Sequence, residues 1–212
     1  MYKPASAKVS LGQQIRLNSG ADGHSPDERE SLLASNLTRN RCGFVMLPVF
    51  LPVNLPQGLG HMIIKNSKIA FIRARWHSDI VDQAYEGFKA QAAALGFDAD
   101  NIEVFDAPGA FEMPLIAKML GQAKSFDAIV AAAWVVDGGV YRHDFVASAV
   151  VDGLMQAQMD TGVPVFSISL TPHQYQETEF HNETYIKHMY KKGQEAAGAV
   201  ALQLETLAKL RG

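Results

Sequence analysis

Cysteine is all but missing from this chain: Cys42 is the only one among 212 residues. A single thiol excludes an intrachain disulfide framework and any zinc cluster built on cysteines. It suits a reducing cytoplasm, the expected location. Charge of one sign is missing too, since 19 basic and 22 acidic residues leave a net charge of −3. There is thus no electrostatic reason to expect a nucleic acid or an anionic membrane as partner. No apolar run approaches the ~20 residues of a membrane-spanning helix. The apolar stretch 43–56 follows Arg39 and Arg41 as a signal sequence would, but Pro48, Pro52 and Pro56 break any helix in it. A secretory signal is therefore not expected. No Gly-x-Ser-x-Gly elbow, P-loop or Gly-x-Gly-x-x-Gly fingerprint follows a strand, which disfavours nucleophilic hydrolysis and nucleotide triphosphate use. His173, His181 and His188 are not spaced as two ligands on one helical turn, so no metal site is expected.

What is present divides into two unequal parts. Residues 1–36 are rich in Ser, Asn, Gly, Asp and Gln and lack periodicity, and 43–61 are apolar but broken by Pro and Gly. Residues 1–61 are expected to be an irregular N-terminal extension, either disordered or lying ahead of a physiological start at Met62. A partner-binding or targeting arm is the other account. Residues 62–212 form the regular domain.

From Met62 onward, strands alternate with helices. Lys68–Arg75 is a strand by its Ile and Phe content. Ser78 is the expected N-cap of a helix with a Val81, Ala84, Tyr85, Phe88, Ala92 stripe, closed by Gly96. Asn101–Asp106 is the second strand, followed by a turn and a helix over 111–121. The run Asp127–Val136 lacks alternation, as a parallel strand buried on both faces does. A helix over 144–161, a strand over 163–170 and a long helix over 183–211 complete the order. Such βαβ repetition predicts a doubly wound, flavodoxin-like three-layer α/β/α fold around a four-stranded parallel sheet. Ligands of such sheets lie beyond the carboxyl ends of the strands.

The residues after each strand should therefore converge: Arg75-Trp76-His77, Pro108 to Glu112, Gly138 to Asp144, and Thr171-Pro172-His173. Trp76 is either ordinary core or a platform for a flat heterocycle. Glu112 either offsets a helix dipole or accepts from ligand hydroxyls. The third loop is the most telling. Gly138 and Gly139 allow close backbone approach, a helix amino end follows to meet an anion, and Arg142 and His143 stand on the same turn.

Pro108-Gly109-Ala110-Phe111-Glu112-Met113-Pro114, Val135-Val136-Asp137-Gly138-Gly139 and Arg142-His143-Asp144-Phe145-Val146 resemble the 6,7-dimethyl-8-ribityllumazine synthases, most closely their second bacterial type. The likeness covers about residues 66–210. It implies condensation of 5-amino-6-(D-ribitylamino)uracil with 3,4-dihydroxy-2-butanone 4-phosphate, releasing phosphate and two waters, in riboflavin biosynthesis, without metal or organic cofactor. It further implies a pentamer-based homo-oligomer, a decamer included, with sites shared between subunits. By resemblance Trp76 stacks on the pyrimidine, and Ala110, Phe111 and Glu112 line the ribityl turn. Trp134, Val135 and Val136 read the uracil edge, and Gly138 and Gly139 cradle the phosphate. Ser167 and His181 are contributed by a neighbouring subunit. The commoner type has a histidine where Arg142 stands here. A guanidinium stays protonated and cannot serve as a base. Of this catalytic pair, Arg142 is therefore expected to clamp phosphate and His143 to transfer the proton. A flavodoxin-like module that binds flavin or lumazine without turnover is the alternative, favoured by the altered loop. A phospho-receiver is not, since no acidic pair follows the first strand.

Overall fold

The computed structural model describes residues 59–138 and 142–211. Gly139 and nearly all of the N-terminal extension lie outside them. The first described element is helix α1 (Leu59–Asn66), which the prolines and glycines before it concealed in the sequence. Met62, where the composition changes, stands inside this helix. Ile64 anchors it, buried in the main core.

The strands are β1 (Ile69–Ala74), β2 (Ile102–Ala107), β3 (Ala128–Trp134) and β4 (Val165–Leu170). The intervening helices are α2 (Ser78–Leu95), α3 (Met113–Ala123) and α4 (His143–Thr161), and α5 (Glu179–Arg211) closes the chain. All pairings are parallel, in the order β2-β1-β3-β4. This is the predicted four-stranded sheet with helices on both faces. Every residue of β3 is buried, as its unbroken apolar run required.

The side-chain period of two along a strand splits the core into two layers. Ile69 and Phe71 of β1, with Val130 and Trp134 of β3, face α1, α2 and α5. Ala70 and Ile72, with Ile129 and Ala133, face α3 and α4. The layer under α2 and α5 holds the larger side chains, including Phe71 packed edge-on against Tyr85. The other layer is built mainly of alanine.

Two glycines set the α2–α5 crossing. A methyl group on Gly87 would strike the carbonyl oxygen of Tyr190, and one on Gly193 would strike that of Ala84. Each helix therefore lies directly on the other's backbone. Helix α2 departs from expectation at its start. Ser78 is its first residue and not its cap, because His77 occupies the cap position with φ 52°, ψ 47° and no side-chain capping bond. This left-handed conformation is uncommon outside glycine, and it turns the chain at the carboxyl end of β1. Helix α5 begins at Glu179, a turn earlier than the sequence suggested.

Candidate active site at the strand ends

The carboxyl ends of β1, β2 and β3 open into one cavity of about 580 Å³. Eight residues predicted from sequence line it: Trp76, Ala110, Phe111, Glu112, Trp134, Val135, Val136 and Gly138. They arrive on three strand ends, by different local devices. Trp76 follows β1 and is 75% exposed, so it is no core residue. Trp134 is 4% exposed and closes the cavity floor at the end of β3. There it packs against the Tyr185 ring, 4.7 Å away between centroids. Ala110–Glu112 is a 3-10 turn ahead of α3, so the helix itself starts two residues later than expected. At Gly109 a methyl group would lie 3.2 Å from the Glu112 carboxylate and 4.0 Å from the Trp76 ring. Glycine there lets the carboxylate close over the turn towards the aromatic plane.

The third loop is held by a residue that the sequence reading did not place in the site. Asp137 lines the cavity, and its Oδ1 accepts the His143 main-chain N–H at 2.7 Å. The same oxygen lies 2.9 Å from His143 Nδ1. The backbone bond from His143, followed by its ring, holds the Asp137 carboxyl below the usual carboxylate range. A carboxylate thus already sits on the first turn of α4, where the helix dipole favours it. The clue was an acidic residue at a strand end, ahead of a glycine pair and a histidine.

Arg142 and His143 stand at the head of α4 without lining the cavity themselves. Arg142 is 71% exposed and donates to Asp144 at 2.7 Å, with its guanidinium 5.2 Å from the Phe145 ring. The imidazole of His143 is 25% exposed. Arg75 does not reach the cavity either, because its guanidinium is 2.7 Å from Asp82. That hydrogen bond, more than charge alone, raises its already high pKa.

The fourth strand end behaves differently from the first three. Thr171 and Pro172 line a smaller cavity of about 300 Å³ on the other side of Trp134, with Ser169, Tyr185 and His188. What reaches the main cavity from this loop is Glu177, whose carboxylate lies 4.0 Å from His77 Nδ1. His77 was among the residues expected to converge after β1, whereas Glu177 was not. No sequence motif marks Glu177, since its position depends on how the loop folds back. Ser167 lies exposed on β4, with its Oγ accepting from the Ser169 N–H at 3.2 Å. His181 belongs to a group of rings with Tyr175, Phe180 and Tyr185. Its Nδ1 accepts the Gln176 N–H at 3.1 Å. Neither Ser167 nor His181 lines the cavity of its own chain. Among the described residues, no group of three or more His, Cys, Asp or Glu is placed to hold a metal ion. No described helix is long and apolar enough to cross a membrane.

The cavity is apolar, with an exposed indole at its mouth and a few convergent polar groups. The family model for 6,7-dimethyl-8-ribityllumazine synthase matches residues 66–208. The chain is 51% identical over 147 residues to a 6,7-dimethyl-8-ribityllumazine synthase of Rhodococcus erythropolis, covering 69% of this chain and 95% of that protein. It is 49% identical over 146 residues to 6,7-dimethyl-8-ribityllumazine synthase 2 of Pseudomonas syringae pv. tomato, covering 69% of this chain and 86% of the relative. A protein of the same name from Bradyrhizobium diazoefficiens is 46% identical over 148 residues, 70% of this chain and 88% of its own. On the extent of the family match and on these identities, the chain belongs to the 6,7-dimethyl-8-ribityllumazine synthase family.

Proposed function

We propose that the cavity at the strand ends is where this chain condenses 5-amino-6-(D-ribitylamino)uracil with 3,4-dihydroxy-2-butanone 4-phosphate to 6,7-dimethyl-8-ribityllumazine, in the cytoplasm and without a cofactor. The observation that carries this reading is the gathering of eight predicted residues around one cavity. Trp76 stacks on the pyrimidine, and the ends of β3 at Trp134, Val135 and Val136 read its edge. Ala110, Phe111 and Glu112 hold the ribityl arm. The phosphate lies over Gly138 and Gly139 against Arg142. The Arg142–Asp144 pair is solvent-exposed and therefore weak, so a phosphate dianion can take the guanidinium over. His143 moves the proton, since an imidazole ring carries one nitrogen that can accept a proton and one that can donate it. Much of the rate comes from holding the amine beside the carbonyl.

The test is lumazine formation, followed by absorbance, in the parent chain and two variants. The parent is expected to turn over. Arg142→Ala should raise the KM for the ketose phosphate about tenfold or more, as loss of a charge-assisted clamp does. His143→Ala should lower kcat with a smaller effect on KM. Equal KM effects with unchanged kcat would discard this division of labour. A yellow protein that binds lumazine without forming it would discard catalysis.

The proposal extends to assembly and organisation. Ser167 and His181 act in the site of an adjacent subunit of a pentamer-based oligomer, a decamer being the expected form. Supporting this is an apolar stripe on α4, where Val151, Met155 and Met159 recur at every fourth residue and are 46%, 55% and 74% exposed. On α3, Leu115 and Met119 are exposed as well, at 65% and 62%. Exposed apolar area of this extent marks a contact surface. Light scattering should give a mass at a multiple of five chains, and Met155→Glu with Met159→Glu should reduce it. A parent chain that runs as a monomer would contradict the shared site. Residues 62–212 are the catalytic domain and 1–61 an extension outside it, a division supported by the family match over 66–208.

A further inference from the structure

Asp137 stands three residues beyond Trp134, the last residue of β3, on the wall of the cavity, and its Oδ1 makes two contacts with one residue. It accepts the His143 main-chain N–H at 2.7 Å and meets His143 Nδ1 at 2.9 Å. An ionised carboxylate only accepts hydrogen bonds. At 2.9 Å the proton between the two groups must therefore belong to Nδ1, which leaves Nε2 as the nitrogen with the free lone pair. The main-chain bond fixes the carboxylate at the start of α4, so the ring orientation does not depend on a freely rotating partner. The other acidic group on this turn, Asp144, pairs with Arg142 at 2.7 Å.

We propose that Asp137 is a positioning residue for His143: it holds the Nδ1-protonated tautomer, turns Nε2 towards the reacting groups, and stabilises the imidazolium formed when Nε2 takes a proton. The inference rests on the assignment of proton transfer to His143 made above. In imine formation the amine nitrogen bonds to the carbonyl carbon and the carbonyl oxygen leaves as water. Two protons pass from nitrogen to oxygen in the process. Nε2 can carry them one at a time, accepting from the nitrogen and delivering to the oxygen, so that His143 ends each transfer as it began. A tautomer with Nε2 already protonated would offer no acceptor for the first. Holding one tautomer in one orientation is what an orienting carboxylate contributes in acid–base sites generally.

The test uses the full chain labelled with 15N-histidine, with the His143 signals identified by their loss in His143→Gln. In the parent, neutral His143 should show a protonated Nδ1 and an unprotonated Nε2. Asp137→Asn keeps the size of the side chain and its main-chain contact, but its amide group can also donate. It should mix the tautomers and lower kcat about ten- to hundredfold, with both substrate KM values changed less than about threefold. In the His143→Gln background the same substitution should have little further effect, because two residues acting as a unit are not additive. Asp137→Asn with the parent tautomer and the parent kcat would overturn the proposal. So would an equal loss in the presence and absence of His143, which would mark Asp137 as merely structural. His143→Gln at full rate would remove the reading on which the proposal stands, and the proposal with it. If no variant or parent forms lumazine, the functional assignment fails; the tautomer signals still decide whether Asp137 holds the ring.

Discussion

Replacing Gly193 with alanine will destabilise the folded chain, whereas the same change at Gly198, in the same helix, will stabilise it. Alanine is favoured over glycine in a helix interior by about 1 kcal/mol. At Gly198 an added methyl group meets nothing within 4 Å, so that gain is retained. At Gly193 the methyl falls on the Ala84 carbonyl oxygen, 2.7 Å from the Phe88 nitrogen and 2.8 Å from the Ala84 carbonyl carbon. All three atoms are backbone of α2, and none can swing aside as a side chain could. Relief requires α5 to move off α2, pulling apart a layer in which Phe88, Met189 and Ala197 are fully buried. Overpacking of this kind costs about 1–3 kcal/mol, enough to exceed the gain in helix propensity. A net loss of 1 kcal/mol corresponds to roughly 2–4 °C in Tm for a chain of this size. Thermal unfolding of both variants and the parent at equal concentration measures the contrast. A Gly193→Ala chain as stable as the parent would show that the two helices are not held backbone to backbone.

Trp76→Ala will weaken binding of the ribitylaminouracil about tenfold or more while leaving the fold intact. The indole is 75% exposed, and changes at such positions usually alter stability by no more than about 0.5 kcal/mol. Stacking of a flat base on an aromatic side chain is worth on the order of 1–3 kcal/mol. Binding should therefore fall with almost no change in Tm, and Trp76→Phe should recover part of it. Titration with the pyrimidine alone isolates this contact from the phosphate end. Unchanged affinity would remove Trp76 from the site, whatever became of turnover.

The contrast between these two positions reflects what each level of description can supply. Trp76 could be nominated from sequence because it follows an apolar strand in a chain of strand–helix repeats, and parallel sheets collect their ligands at such ends. The Gly109 turn and the start of the third loop were legible for the same reason, as local glycine chemistry at a known edge. The completely buried β3 was legible too, since an unbroken run of apolar residues of strand length needs cover on both faces.

Other features were not local. Gly193 is unremarkable in sequence, and only the crossing with α2 makes its missing side chain necessary. Helix α1 was hidden because prolines and glycines precede its two turns, while its second turn packs into a core the sequence does not display. Ser78 looked like a helix cap by residue type, yet the chain turns one residue earlier, at a left-handed His77. Glu177 comes to the cavity through the course of a loop, and Thr171 and Pro172 leave it for the far side of Trp134.

By itself, then, the amino-acid sequence determined the alternation of strands and helices, the edge of the sheet at which the cavity opens, and the family. Periodicity and glycine placement act over a few residues, and motifs are contiguous. Only the tertiary structure decided which strand ends share a cavity, that α2 and α5 meet at two glycines, and that Asp137 rather than solvent faces the His143 ring. Those outcomes depend on distances between residues that the chain must fold to bring together.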